Sequence, residues 1–293
     1  MNISALQVRE LRERSGGAGM MDCKKALVES KGNIEAALEF LRKSGIAKAS
    51  KKANRIAAEG VIIVKSNENN KLAVITEVNC ETDFVAKDVD FNQFADEVVA
   101  LALNSKCGDL NTLHTLTIRG KTIEDHRKEL IAKLGENIQI RRLQMLQTQD
   151  GMISQYRHGI RIGVLVNIKN GNSELGKDIA MHIAATHPQA ILPDDVPNSV
   201  IDKEREIFKA QSENSGKPTD IIEKMVEGRV KKFLKEVSLI EQPFVKDPNQ
   251  TIKQLLQSSR AEVKQFVRFE VGEGIEKQTE DFAKQVADLL NNE

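Results

Sequence analysis

The sequence predicts an α+β fold in which two similar units each combine a small antiparallel sheet with a helix. From Gly60, apolar runs at 61–64 and 72–78 enclose a polar turn and lead into a helix that reaches about Leu103. The same order returns from Gly151, where an extended stretch, an apolar strand at 161–168 and a helical pattern follow. We interpret this recurrence as an internal duplication that gives two α+β subdomains side by side.

The first 55 residues predict a small helical module. Ser4 and Gln7 have the spacing of a capping box, a glycine turn lies at 16–19, and Asn33 can cap a third helix. Three short helices bury little core, so this composition suits a docking module on a tether. The apolar positions assigned to the three helices are Leu6, Val8, Leu11, Met21, Ala26, Leu27, Ile34, Ala37, Leu38 and Leu41.

Residues 42–55 contain six basic side chains and no acidic one. One interpretation is a solvated linker or helix end. The other is a contact with RNA or with an acidic partner surface. The basic residues are Arg42, Lys43, Lys48, Lys51, Lys52 and Arg55.

The rest of the chain predicts a helix at 121–135, a strand at 138–146, a helical hairpin at 198–237, and a strand at 263–271 that rejoins the second subdomain. The hairpin's second helix carries a narrow apolar stripe, as in a paired helix. It either protrudes or folds onto the core. The predicted boundaries are 1–55 for the helical module, 56–148 for the first subdomain, 149–197 and 238–272 for the two parts of the second, 198–237 for the hairpin, and 273–293 for a C-terminal module with an amphipathic helix at 280–290.

Composition narrows the functional class. The chain has 43 Lys and Arg residues and 43 Asp and Glu residues, so it has no net charge that would attract nucleic acid. It also has no Trp, one of the aromatic residues on which the bases of single strands stack. No run of 18 apolar residues predicts a membrane span, and the first residues lack the pattern of a signal peptide. Three widely spaced cysteines are typical of reduced thiols, which favours the cytoplasm.

No catalytic constellation is evident. The five histidines lack metal-site spacing, no phosphate-binding GxxxxGK[ST] loop is present, and we expect neither a metal nor another cofactor. Cys23 lies beside Lys24 and Lys25, which could lower the pKa of its thiol, but we favour a small buried cysteine in a helix. An enzyme that depends on Cys23 or His158 is the alternative to a protein that only binds.

The most informative segment is Val78–Asp88, where a predicted strand passes into a helix. Thr82 and Asp83 are residue types that cap helices, and the large apolar Phe84 follows them directly. A side chain at the tip of such a corner is poorly placed for the core and well placed to enter another protein. The alternative is that Asp83 only caps the helix and Phe84 packs inward.

This segment resembles the signature of the elongation factor Ts family. Further matching motifs, in family order, are Leu11–Leu27, Ile138–Arg142, His158-Gly159, Arg161–Leu165 and Arg268–Gly274. One departure is Ser15-Gly16-Gly17, where the family has a Thr and a single Gly. The resemblance implies a ubiquitin-associated-like fold for the helical module, a protruding coiled-coil hairpin used in association, and a C-terminal module that contacts the partner.

The resemblance also implies a function: guanine-nucleotide exchange on elongation factor Tu, without covalent chemistry, by displacing the partner's Mg²⁺. Phe84 would be the wedge, Asp83 would compete for polar groups and cap its own helix, and Thr82 and Val85 would hold the corner in shape. Met20, Met21 and His158 would make further contacts, and the hairpin at 198–237 could join two copies of the chain. An RNA-binding translation accessory protein that uses residues 42–55 is the alternative.

Overall fold

The computed structural model describes residues 3–213 and 218–276. The amphipathic helix predicted at 280–290 lies outside the described residues. The α+β class is confirmed, since helices accompany antiparallel sheets. The division of the chain into the predicted domains stays a prediction.

The helices and strands follow one another from the N-terminal module to the final strand. The helices are α1 (Ala5–Arg14), α2 (Met20–Glu29), α3 (Ile34–Lys52), α4 (Asp83–Ala86), α5 (Val89–Ser105), α6 (Leu110–Thr115), α7 (Ile123–Leu134), α8 (Ser173–Thr186), α9 (Asn198–Glu213), α10 (Thr219–Val237) and α11 (Ile252–Ser258). The strands are β1 (Glu59–Ser66), β2 (Leu72–Cys80), β3 (Thr117–Ile118), β4 (Lys121–Thr122), β5 (Gln139–Gln147), β6 (Met152–His158), β7 (Ile162–Lys169), β8 (Pro243–Phe244), β9 (Asp247–Thr251) and β10 (Glu262–Glu270).

Two antiparallel sheets of three strands organise the described core. Their strand orders are β1-β2-β5 and β10-β7-β6, and two short hairpins pair β3 with β4 and β8 with β9. β10 pairs along β7, so the predicted return of the last strand to the second sheet is confirmed. In the first sheet Glu59 lies opposite Cys80, which sets the start of β1 beside the end of β2.

Helices pack against each of the two sheets, and the two sheets also pack on each other. α5 and α7 pack against the first sheet, and α8 packs against the second. A third apolar cluster joins the two sheets and includes Ile62, Ile75, Leu165 and Phe269. The two sheets therefore share a core. The apolar runs of the sequence predict the strands but do not show that the sheets pack on each other.

Gly163 of β7 packs against β1 and β2 of the first sheet. A Cβ atom there would lie 2.4 Å from Cγ2 of Ile62 and 3.2 Å from Cδ1 of Ile75. These atoms belong to packed core side chains, so the overlap could be relieved only by repacking.

We expect Gly163→Ala to lower the free energy of unfolding by about 1–3 kcal/mol, because it overpacks this contact. Gly228→Ala is the matched control, since Gly228 lies within α10 and a Cβ there meets nothing within 4 Å. The control should stabilise by about 0.5–1 kcal/mol, because alanine favours a helix interior. Urea denaturation measures both values. An unchanged free energy of unfolding for Gly163→Ala would show that the contact between the sheets does not require glycine at this position.

The N-terminal module forms the three predicted helices, and the capping box of Ser4 and Gln7 is confirmed. Of the apolar positions predicted for the first helix, Val8 and Leu11 are buried, whereas Leu6 is 77 % exposed. At about 100° per residue, Leu6 lies roughly 200° around the helix from Val8, on the opposite face.

The basic stretch is helical for most of its length, because α3 continues to Lys52. Ala49 of this extension is buried in the first core cluster, and a Cβ at Gly45 would lie 3.2 Å from Cβ of Ala132 in α7. Small residues let α3 approach α7 closely. Residues 42–52 are therefore a helix end, which belongs to the first of the two interpretations of the basic stretch.

The predicted helical hairpin is present as α9 and α10. Val226 and Val230 of the second helix are buried, and Arg205 of the first reaches Glu227 of the second at 3.1 Å. The base of α10 adjoins the core through Gln189 N–H, which donates to the carbonyl of Val237 at 2.8 Å. Dimerisation through the hairpin stays a prediction.

Candidate partner-binding surface

The strand–helix corner is built by the fully buried strand β2 and the one-turn helix α4. Thr82 has an extended backbone and caps α4, because its hydroxyl oxygen accepts a hydrogen bond from Val85 N–H at 3.4 Å. Asp88 then caps α5, accepting from the N–H groups of Asp90 and Phe91 at 2.9 and 3.2 Å. Two caps within seven residues fix the chain through a sharp change of direction.

Phe84 projects from this corner into solvent. Its side chain is 81 % exposed, whereas Val85 beside it is 8 % exposed and packs in the first core cluster with Ala86. The alternative in which Phe84 packs inward is therefore wrong. Leaving a benzyl group in water forgoes about 1.5–3 kcal/mol of burial, and a partner that covers it recovers this free energy.

The expectation that Asp83 caps its own helix was wrong, since Thr82 is the N-cap of α4. Asp83 is the first residue of α4, and Lys87 Nζ donates to its Oδ2 at 2.7 Å. This hydrogen bond and the lysine charge hold the pKa of the Asp83 carboxyl below its usual range. The side chain is an exposed carboxylate next to the exposed phenyl ring.

Sequence reasoning missed two residues of the corner. Glu136, which lies between α7 and β5, accepts hydrogen bonds from the N–H groups of Glu81 and Thr82 at 3.0 and 2.9 Å. It had no periodic signal, because its partners are more than 50 residues earlier in the chain. Val89 begins α5 and is 78 % exposed. Val89 lies two residues before the buried Phe91, so it is about 200° around the helix from it and faces solvent. This spacing could have predicted its exposure.

The helical module presents a second exposed apolar group. Met20 and Met21 form the first turn of α2, directly after the N-cap Gly19, and their side chains are 47 % and 74 % exposed. Flexible thioether side chains suit adaptable contacts. The extra glycine of this turn is accommodated with Gly16 and Gly17 both at positive φ, at 73° and 98°.

His158 is the last residue of β6 and is exposed at the turn to β7. The hydroxyl of Tyr156 lies 3.4 Å from its Nδ1. The turn is fixed to the first sheet, because Ile62 N–H donates to the carbonyl of Ile160 at 2.8 Å and Arg161 pairs with Glu59 at 2.7 Å. Since Glu59 lies opposite Cys80, the His158 turn and the Phe84 corner are attached to neighbouring parts of one core.

The cysteines show no sign of activation. Cys23, Cys80 and Cys107 are unpaired and buried. Burial raises the pKa of the Cys23 thiol, and burial together with the carboxylates of Glu136 and Glu59 raises the pKa of Cys80 to about 12. The hypothesis that neighbouring lysines activate Cys23 is therefore wrong.

Two features of the described residues bear on metal binding and on membrane insertion. In residues 3–213 and 218–276, no group of three or more His, Cys, Asp or Glu side chains is arranged to hold a metal ion. Within the same ranges, no helix has the length and apolar character needed to cross a bilayer.

The basic stretch uses several of its charges within the chain. Lys43 pairs with Glu39 at 2.7 Å, and Arg55 pairs with Glu81 at 3.6 Å. Lys52 Nζ donates to the carbonyl of Gly135. Charges engaged in this way are less available to phosphate groups, which weakens the case for RNA binding.

An α+β scaffold that holds exposed apolar side chains on fixed corners is typical of a protein that acts by binding a partner. A family model described as "Elongation factor TS" matches residues 81–273. Elongation factor Ts of Methylococcus capsulatus is 57 % identical over 287 residues, and that of Thioalkalivibrio sulfidiphilus is 54 % identical over the same length. Each alignment covers 98 % of both chains. The chain belongs to the elongation factor Ts family, whose members are translation elongation factors.

Proposed function

We propose that this protein is the guanine-nucleotide exchange factor of elongation factor Tu and works in the cytoplasm by binding alone. The observation that carries the proposal is Phe84, an 81 % exposed aromatic side chain on a corner whose backbone is fixed by caps and buried neighbours. The family membership supports the choice of partner. The unpaired, buried cysteines favour a reducing compartment.

The mechanism rests on linkage between two binding equilibria. A GTPase holds its nucleotide through a phosphate-cradling loop and a Mg²⁺ ion that bridges phosphates. A factor that binds best when these contacts are broken weakens nucleotide binding, and nucleotide weakens the factor by the same free energy. A thousandfold weakening needs about 4 kcal/mol of differential contact.

Phe84 is the wedge in this proposal. Inserted near the elements that hold the partner's Mg²⁺, its ring would supply roughly 1.5–3 kcal/mol, which is a large part of that differential. Asp83, an exposed carboxylate, would exchange Lys87 for polar groups of the disturbed site. Thr82 and Val85 hold the corner, the first as the cap of α4 and the second as its buried anchor.

Met20, Met21 and His158 supply the remaining contacts. The exposed methionines at the start of α2 would lie against the nucleotide-binding domain, and the exposed His158 would help the phosphate loop change conformation. These contacts add to the free energy that Phe84 alone does not provide. Phe84, the two methionines and His158 lie at separate places on the surface of the protein. A partner that contacts all of them at once must adopt one particular conformation.

Stopped-flow fluorescence tests the proposal. Elongation factor Tu is loaded with a fluorescent GDP analogue, and its release is followed after mixing with the purified protein and excess unlabelled GDP. We expect the release rate to rise with the protein's concentration and to saturate. A release rate that is the same with and without the protein would refute the proposed function.

A further inference from the structure

Glu136 gathers three donors from the strand–helix corner, which is more than a helix cap requires. Its Oε2 accepts from the N–H groups of Glu81 and Thr82 at 3.0 and 2.9 Å, and its Oε1 accepts from the Thr82 hydroxyl at 2.6 Å. Hydrogen bonds to a carboxylate are stronger than those between neutral groups. One side chain thus fixes both the backbone that enters α4 and the hydroxyl that caps it.

The contact is reciprocal. Glu81 Oε1 accepts a hydrogen bond from Asn137 N–H at 2.6 Å, so each of two carboxylates holds the backbone of the other's segment. Adjacent segments that exchange such bonds cannot shift separately without breaking several charged hydrogen bonds. We call this arrangement of Glu81, Thr82, Glu136 and Asn137 the carboxylate clasp.

The same turn also holds the tether of the helical module. The side-chain amide of Asn137 donates to the carbonyls of Ala53 and Arg55 at 3.3 and 2.8 Å, and Arg55 pairs with Glu81 at 3.6 Å. The clasp therefore contacts both the segment that leads to Phe84 and the chain that follows α3.

We propose that Glu136 is a positioning residue for nucleotide exchange: through the carboxylate clasp it holds Phe84 in the orientation that enters the partner. The inference rests on the proposed exchange function and extends it to a residue that need not touch the partner. The physical reason is preorganisation. A wedge on a loose corner loses conformational freedom when it binds, and this loss subtracts from the free energy available to displace nucleotide.

A double-mutant cycle separates positioning from general stability. GDP release from elongation factor Tu is measured with the wild type, Glu136→Ala, Phe84→Ala and the double variant. We expect Glu136→Ala alone to slow catalysed release by about tenfold, equivalent to about 1.4 kcal/mol. We expect it to have no further effect once Phe84 is alanine, because no wedge is left to position.

Two further variants sharpen the cycle. Glu136→Gln keeps one oxygen for the backbone N–H groups and places an NH₂ group near the Thr82 hydroxyl. It should therefore lose less activity than Glu136→Ala, and it serves as a second, milder substitution in the cycle. Glu129→Ala is the matched control. Glu129 lies on the preceding helix α7 and its hydrogen bonds go to Lys121, at 2.6 and 2.9 Å, and not to the corner, so release should be unchanged.

Three results would contradict the positioning role of Glu136. Equal slowing by Glu136→Ala in the presence and absence of Phe84 would overturn the positioning role, since a purely structural residue acts in both backgrounds. Normal release by Glu136→Ala while Phe84→Ala is slow would also overturn it and leave the exchange function intact. If Phe84→Ala releases GDP normally, the wedge and its positioning residue both fail.

Discussion

Replacing Phe84 by alanine should slow catalysed GDP release by roughly 10- to 150-fold, which corresponds to the 1.5–3 kcal/mol gained by burying one phenyl ring. The side chain is 81 % exposed in the free protein, so the change should alter the free energy of unfolding by no more than about 0.5 kcal/mol. Stopped-flow release with labelled GDP measures the first quantity, and urea denaturation measures the second.

Val245→Ala provides the control for this experiment. Val245 is also an exposed apolar residue, but it lies in the turn between β8 and β9, away from the corner. We expect it to leave GDP release unchanged. A Phe84→Ala protein that releases GDP as fast as the control would show that the exposed ring is not the wedge.

The largest effect on stability is expected at Glu77, a fully buried carboxylate of β2. Arg141 Nη1 donates to its Oε1 at 3.1 Å, and Arg142 Nε donates to its Oε2 at 2.5 Å. Glu77 also accepts from Asn79 Nδ2 and from Gly272 N–H, at 3.0 and 2.8 Å. The carboxylate thus joins β2, β5 and the segment after β10.

We expect Glu77→Ala to lower the free energy of unfolding by about 3 kcal/mol, because it leaves two arginine charges without their buried partner. This is the lower end of the usual range, since the arginine side chains are 26 % and 28 % exposed and water can reach them. Thermal and urea denaturation followed by circular dichroism measure the change.

Glu262→Ala is the matched control for Glu77. Glu262 is also a strand glutamate paired with a basic residue, Lys264, at 2.6 Å, but its side chain is 59 % exposed. Exposed pairs contribute about 0–1 kcal/mol, so this variant should be nearly neutral. Similar losses in the two variants would mean that the buried network adds nothing beyond an ordinary surface pair.

Glu77 also shows why part of the fold was predictable and part was not. The apolar run at 72–78 predicted β2, and the helical spacing of apolar residues predicted the helix after it, because both patterns are local properties of the chain. The partners of Glu77 come from two motifs that resemble the family, at 138–142 and 268–274, and nothing in either motif indicates that they meet. Face-to-face packing of the two sheets depends on such contacts between distant residues.

The candidate site divides in the same way. The local pattern left open whether Phe84 is exposed or packs inward, and the family resemblance favoured the exposed side chain that the structure has. Thr82 and Asp83 were both recognised as capping residue types, and Thr82 is the one that caps α4. The support from Glu136 could not be found, since a lone glutamate after a helix has many possible uses. A helix end was among the expectations for residues 42–55, but its packing on the core through the small residues Gly45 and Ala49 was not predicted, because the basic residues around them suggested an exposed segment.

The affinity of the protein for two forms of its partner tests the central claim most directly. Isothermal titration calorimetry compares nucleotide-free elongation factor Tu with the complex of elongation factor Tu, GDP and Mg²⁺. We predict that the empty form binds at least about 100-fold more tightly, a difference of about 2.7 kcal/mol. Equal affinity for the two forms would contradict the account, because binding would then supply no free energy for the release of GDP.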